Sequence, residues 1–181
     1  NYKNLLAGKS KRKFCPICCY ERIAFLSNKL VVLGTGKMAR EVFFILKNCV
    51  HNFECVGFTG TSDKKSLLPS PYLGEDSNLE EIFNNGVKNA CLAVGDINTR
   101  EKLFNKVKNL GFSLPSIVHL SATILTDLSK IGEGSFVYPN SLLMNDVEIG
   151  KATIVNSGCV ITHDVKVGDF VNLNPRSTIG G

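Results

Sequence analysis

From Leu125 to Gly181 an aliphatic side chain returns at every sixth residue: Leu125, Ile131, Val137, Leu143, Ile149, Val155, Ile161, Val167, Leu173 and Ile179. Four residues after each comes something small or branched: Ser129, Ser135, Ser141, Val147, Thr153, Cys159, Val165, Val171 and Ser177. An α-helix repeats near 3.6 residues and a strand near 2, and neither period holds such a phase over so long a run. A strict hexad is the pattern of a β-helix, in which short strands turn corners into one another and successive coils stack. The large aliphatic fills the interior, and the small residue sits where the wall bends.

The remaining length bounds the rest. At 181 residues and 44% hydrophobic, the chain can hold one large or two small domains with a substantial core. It has no uninterrupted apolar run near the ~18 residues of a membrane helix, and no secretory signal is visible. The seven cysteines are an odd number, so a disulfide framework is not indicated and a reduced, cytoplasmic setting is the default. The net charge of +5 is uneven: residues 1–30 carry seven Lys or Arg against the single acid Glu21. The basic balance therefore describes a tail rather than a nucleic-acid-binding face. Beginning on Asn1 rather than Met, the sequence reads as a fragment or trimmed chain.

Residues 1–28 form a basic leader with Cys15, Cys18 and Cys19 at the spacing of half a zinc knuckle. A structural zinc needs four ligands. Cys49, His51 and Cys55 are the nearest others and have the wrong spacing, so no metal site is expected. From Lys29 the pattern alternates β and α. Leu30 to Leu33 reads as a strand ending at Gly34-Thr35-Gly36, with a helix behind it. Glu54 to Phe58 reads as a second strand and Ala90 to Val94 as a third. Ser77 with Glu80 and Asn98 with Glu101 read as capping boxes opening two helices, the second stopping at Gly111. This predicts a small parallel α/β sheet over 29–118, followed by the repeats over 119–181.

Gly34-x-Gly36-x-x-Ala39 lies between strand and helix, where backbone amides can approach a phosphate at the positive helix end. A dinucleotide site also wants an acid near the end of the second strand, and in that stretch only Asp63 could serve. An NAD enzyme is therefore disfavoured. A phosphate of a nucleotide or nucleotide-sugar is the leading reading, and an unliganded tight turn the next. Lys37 is placed to reach such a phosphate, or is a surface lysine. Among three histidines, His163 falls two residues past an inward aliphatic, at a corner or on the outside, with Asp164 beside it. A neutral imidazole suits general-base work near pH 7, and a neighbouring carboxylate can orient it. Spacing alone favours an ordinary surface histidine.

Taken together, these residues resemble the nucleotide-sugar acetyltransferases of the bacillosamine N-acetyl and sialic-acid O-acetyl type. The resemblance runs from about Lys29 to Gly181. It rests on Val32-Leu-Gly-Thr-Gly-Lys-Met-Ala-Arg-Glu-Val42, Val56-Gly-Phe58, Leu92-Ala-Val-Gly-Asp96 with Arg100, and Gly111 to Ala122, and is sharpest in Val155-Asn-Ser-Gly-Cys-Val-Ile-Thr-His-Asp164. It implies a Rossmann-like first domain and a left-handed β-helix, a hand that periodicity cannot show. It implies a homotrimer, acetyl-CoA as acyl donor bound between adjacent β-helices, and a nucleotide-sugar or sialic-acid acceptor. His163 becomes the general base and Asp164 its acid. Asn156 contributes to the substrate site, and Asn172 and Gly181 to the coenzyme site, Gly181 as an oxyanion-type amide. Three positions depart from the family: Asn172 stands where a second histidine is frequent, Lys37-Met38 where Gly-His is frequent, and Thr59 to Ser62 where paired aspartates are frequent. The chain also ends after roughly three coils, which leaves a non-catalytic fragment that binds a nucleotide-sugar or oligomerises as the rival expectation.

Overall fold

The computed structural model describes residues 28–50, 53–61 and 68–181. The leader cysteines Cys15, Cys18 and Cys19, together with His51 and Asp63, lie outside the described residues. Strand β1 (Lys29–Leu33) is the centre of a three-stranded parallel sheet, flanked by β2 (Glu54–Thr59) and β3 (Asn89–Leu92) in the order β2-β1-β3. Leu30 to Leu33 are 0% exposed because both faces of the sheet are covered. That burial is why β1 reads as an unbroken apolar run rather than an alternation. Helix α1 (Lys37–Leu46) turns Ala39, Val42, Ile45 and Leu46 inward, at helical spacing.

The helix starts differ from the two capping boxes expected. Before α2 (Leu79–Asn84) the chain makes a one-turn 3₁₀ helix, Asp76–Asn78, and no side chain caps α2. Before α3 (Ile97–Asn109) the cap is Asp96, whose Oδ1 accepts from the Thr99 N–H at 2.8 Å. The α3 start lies upstream of Asn98, the residue the pattern picked, because a carboxylate three residues ahead of a backbone N–H caps without needing a reciprocal Glu. Gly111, with φ +92°, ends α3 as expected.

The β-helix has three walls. The first stacks β4 (Ile117–Val118), β6 (Phe136–Val137), β9 (Ile154–Val155) and β12 (Asn172–Leu173). The second stacks β5 (Thr123–Ile124), β7 (Leu142–Leu143), β10 (Val160–Ile161) and β13 (Thr178–Ile179). The third pairs β8 (Glu148–Ile149) with β11 (Lys166–Val167), and Ile131 bridges to Ile149 beneath them. All of these pairs are parallel. Val118, Val137, Leu143, Ile149, Val155 and Ile161 form the interior and are at most 3% exposed.

One expectation fails at the start of the run. Leu125 is 59% exposed, and Ile124 is the residue that packs into the interior. Val118 and Ile124 keep the hexad spacing, one residue out of phase with Ile131 onward. The short 3₁₀ turn Leu128–Lys130 absorbs the extra residue. It also leaves Ser129 exposed, and Thr126 takes the corner instead, its hydroxyl donating to the Val147 carbonyl at 3.0 Å.

The corners explain the small residues. Ser135, Ser141, Thr153 and Cys159 are at most 1% exposed, and each reaches a carbonyl of the next coil: Gly150, Asn156, Gly168 and Asn174 respectively. A residue in the left-handed region recurs every six positions, at Gly134, Asn140, Asp146, Ala152, Gly158, Asp164, Phe170 and Arg176. Each non-glycine among them costs about 1 kcal/mol of local strain, which the stacked ladders over-determine.

The first domain sits on the first wall. There the outward residues of β4, β6 and β9, namely Ile117, Phe136 and Ile154, are as apolar as their inward neighbours and share one buried cluster with Ala39, Val42, Ile45 and Leu46 of α1. Each such large apolar side chain contributes roughly 2 kcal/mol when fully buried. On the third wall the outward positions are Glu148 and Lys166, which pair at 3.3 Å and face water.

Candidate active site

Two candidate sites lie on the molecule, and a buried arginine ties the rim of the first to the β-helix. The first is a cavity of about 390 Å³ at the carboxyl ends of the three parallel strands. Strand order reverses there, which is where open α/β sheets hold ligands. The two glycines of the turn do different work. A Cβ on Gly34 would come within 2.5 Å of the Ala93 carbonyl, and the Gly34 N–H already donates to the Thr59 carbonyl at 2.8 Å. Gly34 therefore lets two strand ends approach, and its amide is committed. A Cβ on Gly36 would meet nothing within 4 Å, so the space before α1 is open. No side chain caps α1, leaving its first-turn N–H groups facing that space beside the exposed Lys37. Asp76 lies on the far side, its Oδ1 accepting from the Thr59 hydroxyl at 2.8 Å. Sequence reasoning passed over Asp76. It is 17 residues from Thr59, and its neighbours look like a helix start.

The second feature is the turn between β10 and β11. His163 and Asp164 occupy it, and their side chains are 57% and 71% exposed. Nδ1 of His163 lies 2.9 Å from Asp164 Oδ2. Asp164 reaches this position because its backbone is left-handed, with φ 62°. One coil further on, Gly181 lies against the ring: a Cβ there would fall 2.6 Å from His163 Cε1. The structure thus brings His163, Asp164 and Gly181 together.

Asn156 and Asn172 are placed elsewhere. The Asn156 amide donates to the Leu173 carbonyl at 2.8 Å, tying one coil to the next. Asn172 is drawn into a clasp around Arg100, a residue that is 0% exposed. All five guanidinium N–H groups are used: Nε on Ala152 O, Nη1 on Val94 O and Gly95 O, and Nη2 on Phe170 O and Asn172 Oδ1, at 2.6–3.0 Å. Asn172 Nδ2 in turn donates to Gly95 O at 2.9 Å. Burial pulls the guanidinium pKa down, with Asp96 partly opposing it. Because Val94 and Gly95 line the cavity, the clasp fixes the cavity rim to the β-helix.

Residues 29–107 match the PglD N-terminal domain, and residues 129–163 match the bacterial transferase hexapeptide of six repeats. Similar solved structures include a histidine-to-asparagine variant of perosamine N-acetyltransferase from Caulobacter crescentus in complex with CoA and GDP-perosamine. It is 28% identical, at a TM-score of 0.75, over 83% of this chain and 70% of that one. A histidine-to-alanine variant in complex with the same ligands is 28% identical over the same shares, at a TM-score of 0.72. The acetyltransferase domain of PglB from Neisseria gonorrhoeae FA1090, in complex with acetyl coenzyme A, shares the fold at 24% identity, with a TM-score of 0.71 over 86% of this chain and 74% of that one. By both matches and by these structures the chain is similar to the hexapeptide-repeat sugar acetyltransferases.

That likeness matches the fold described above, a small parallel α/β domain leading into a hexapeptide-repeat β-helix. Among the described residues no group of His, Cys, Asp and Glu could hold a metal ion, and no helix is long and apolar enough to cross a membrane. The Cys49 thiol donates to the Leu46 carbonyl and the Cys55 thiol to the Gly57 carbonyl.

Proposed function

We propose that this chain is a sugar acetyltransferase that moves the acetyl group of acetyl-CoA to an amino group of a nucleotide-activated sugar, with His163 as general base. The observation that carries the reading is the His163–Asp164 pair at 2.9 Å with Gly181 packed on the ring. The similarity to a perosamine N-acetyltransferase solved with CoA and GDP-perosamine supports both the donor and the acceptor class. Asp164 accepts from Nδ1–H, which leaves the Nε2 lone pair as the base. Nε2 takes the proton from the attacking amine as nitrogen bonds to the thioester carbon. The carbon–sulfur bond then breaks, and the imidazolium returns the proton to the coenzyme thiolate. The backbone amide of Gly181 donates to the developing oxyanion. The cavity at α1 holds the diphosphate at the helix N-terminus, with Lys37 beside it.

The catalytic unit is a homotrimer. The second wall supports this by turning half-buried Leu142 and Val160 outward, near the exposed Leu125. The work takes place in the cytoplasm.

The test is release of free thiol from acetyl-CoA with UDP- and GDP-linked amino sugars, and with sialic acid to detect O-transfer. Release that follows one amino sugar and drops by about 10²–10⁴ in His163→Ala supports the assignment. Normal turnover by His163→Ala would sink the base, and release with sialic acid alone would replace the amine acceptor by a hydroxyl.

A further inference from the structure

After β2 the chain returns along the edge of that strand. Phe58 N–H donates to Pro71 O at 2.9 Å, Leu73 N–H to Phe58 O at 2.8 Å, and Gly60 N–H to Gly74 O at 3.1 Å. This short ladder delivers Asp76 to the carboxyl end of β2. Two bonds then hold it there: the Thr59 hydroxyl on its Oδ1 at 2.8 Å and the Lys106 ammonium on its backbone carbonyl at 2.7 Å. Thr59 itself is 0% exposed, so the donor that aims the carboxylate is fixed. The same cavity that Asp76 lines opens at its other side onto Gly36 and the uncapped start of α1.

In a strand–turn–helix site, the phosphates lie at the helix N-terminus and the ribose falls at the end of the next strand. An ionised carboxylate offers acceptors only, so whatever meets Asp76 must bring donors. The adjacent 2′- and 3′-hydroxyls of a ribose are such a pair. We infer that Asp76 accepts hydrogen bonds from the ribose hydroxyls of a nucleoside diphosphate, and that the cavity thereby selects ribonucleotides over 2′-deoxyribonucleotides. The inference rests on the assignment of this cavity to the nucleotide half of the acceptor. It supplies an acid at the carboxyl end of the second strand, from a segment folded back beside it.

Calorimetric titration of the whole chain with UDP, GDP, dUDP and dGDP tests it. The expected result is that a ribonucleotide binds at least roughly tenfold more tightly than its deoxy counterpart, as befits one hydrogen bond to a charged group. In Asp76→Ala that ratio falls to about one, with the ribonucleotide losing more affinity than the deoxynucleotide, which keeps only its 3′-hydroxyl. Thr59→Val keeps the carboxylate but releases its aim, and gives an intermediate ratio. Equal binding of ribo and deoxy forms by the unaltered chain, or a ratio that survives in Asp76→Ala, would overturn the inference and leave the nucleotide reading standing. Failure of all four nucleotides to bind would overturn both.

Discussion

Arg100 offers the sharpest test of how the two halves are joined. Its guanidinium is fully buried and faces carbonyl oxygens and one amide oxygen rather than a carboxylate. Replacing it by Met keeps much of the volume but leaves four backbone carbonyls and Asn172 without their donor. Each such loss costs about 1–3 kcal/mol where water cannot enter. Relief of the buried charge offsets part of the sum, so a net loss of about 3–5 kcal/mol is expected, the range found when one partner of a buried charged network is removed. For a chain of this size that is a fall in Tm of about 10 °C. Arg100→Lys keeps the charge but can donate three bonds where five are needed, and should lose about half as much. Asn172→Ala removes the 2.6 Å bond to Arg100 and the 2.9 Å bond to Gly95, at about 2 kcal/mol. Combined with Arg100→Met it should cost less than the sum, because the two share a contact. Thermal unfolding followed by circular dichroism measures all four variants. A Tm for Arg100→Met within about 2 °C of the unaltered chain, or strict additivity with Asn172→Ala, would refute the clasp.

Three further outcomes follow from geometry. Gly132, Gly150 and Gly168 stack one coil apart, and a Cβ on Gly150 would lie 2.4 Å from the backbone carbon of Gly168; Gly150→Ala should lose roughly 1–3 kcal/mol in denaturant unfolding, while Gly168→Ala, whose nearest neighbour would be 4.0 Å away, should stay within about 0.5 kcal/mol. Burial pushes the Cys55 thiol up to about 11 and raises the Cys91 thiol as well, so both should resist iodoacetamide at pH 8 in the native protein and react on unfolding, as read by site-resolved mass spectrometry. Asp96 is held below the usual carboxylate range by the Thr99 hydroxyl and N–H. Its cap is thus fully present above the unfolded value of about 3.9 and is lost as pH falls through the lower folded value; the gap in Tm between the unaltered chain and Asp96→Ala should be widest near neutrality and close in acid.

Much of the fold was legible because the forces that set it are local or periodic. The hexad fixed the β-helix, since only stacked coils bury one side chain in six on each wall. The run Leu30 to Leu33 with Gly34 and Gly36 fixed a strand, a turn and a helix. The phase error at Leu125 shows the limit of that reading: Leu and Ile are equally apolar, and only the inserted turn at Leu128–Lys130 decides which of the two adjacent residues points inward. His163 and Asp164 could be paired from adjacency, but that Gly181 lies on the ring required knowing that residues one full coil apart are neighbours.

The sequence by itself therefore determined the coil period, the interior side chains from Ile131 onward, the α/β order of the first domain and the histidine–aspartate pair. Each of these follows from spacing along one chain. Only the tertiary structure decided that Asp76 stands at the end of β2, that Asn156 and Asn172 serve as ties, and that Arg100 holds the cavity rim to the β-helix. Those roles rest on contacts such as Thr59 with Asp76 and Arg100 with Asn172, 17 and 72 positions apart. Hydrogen-bonding capacity, unlike hydrophobic period, leaves no trace in sequence of where its partner lies.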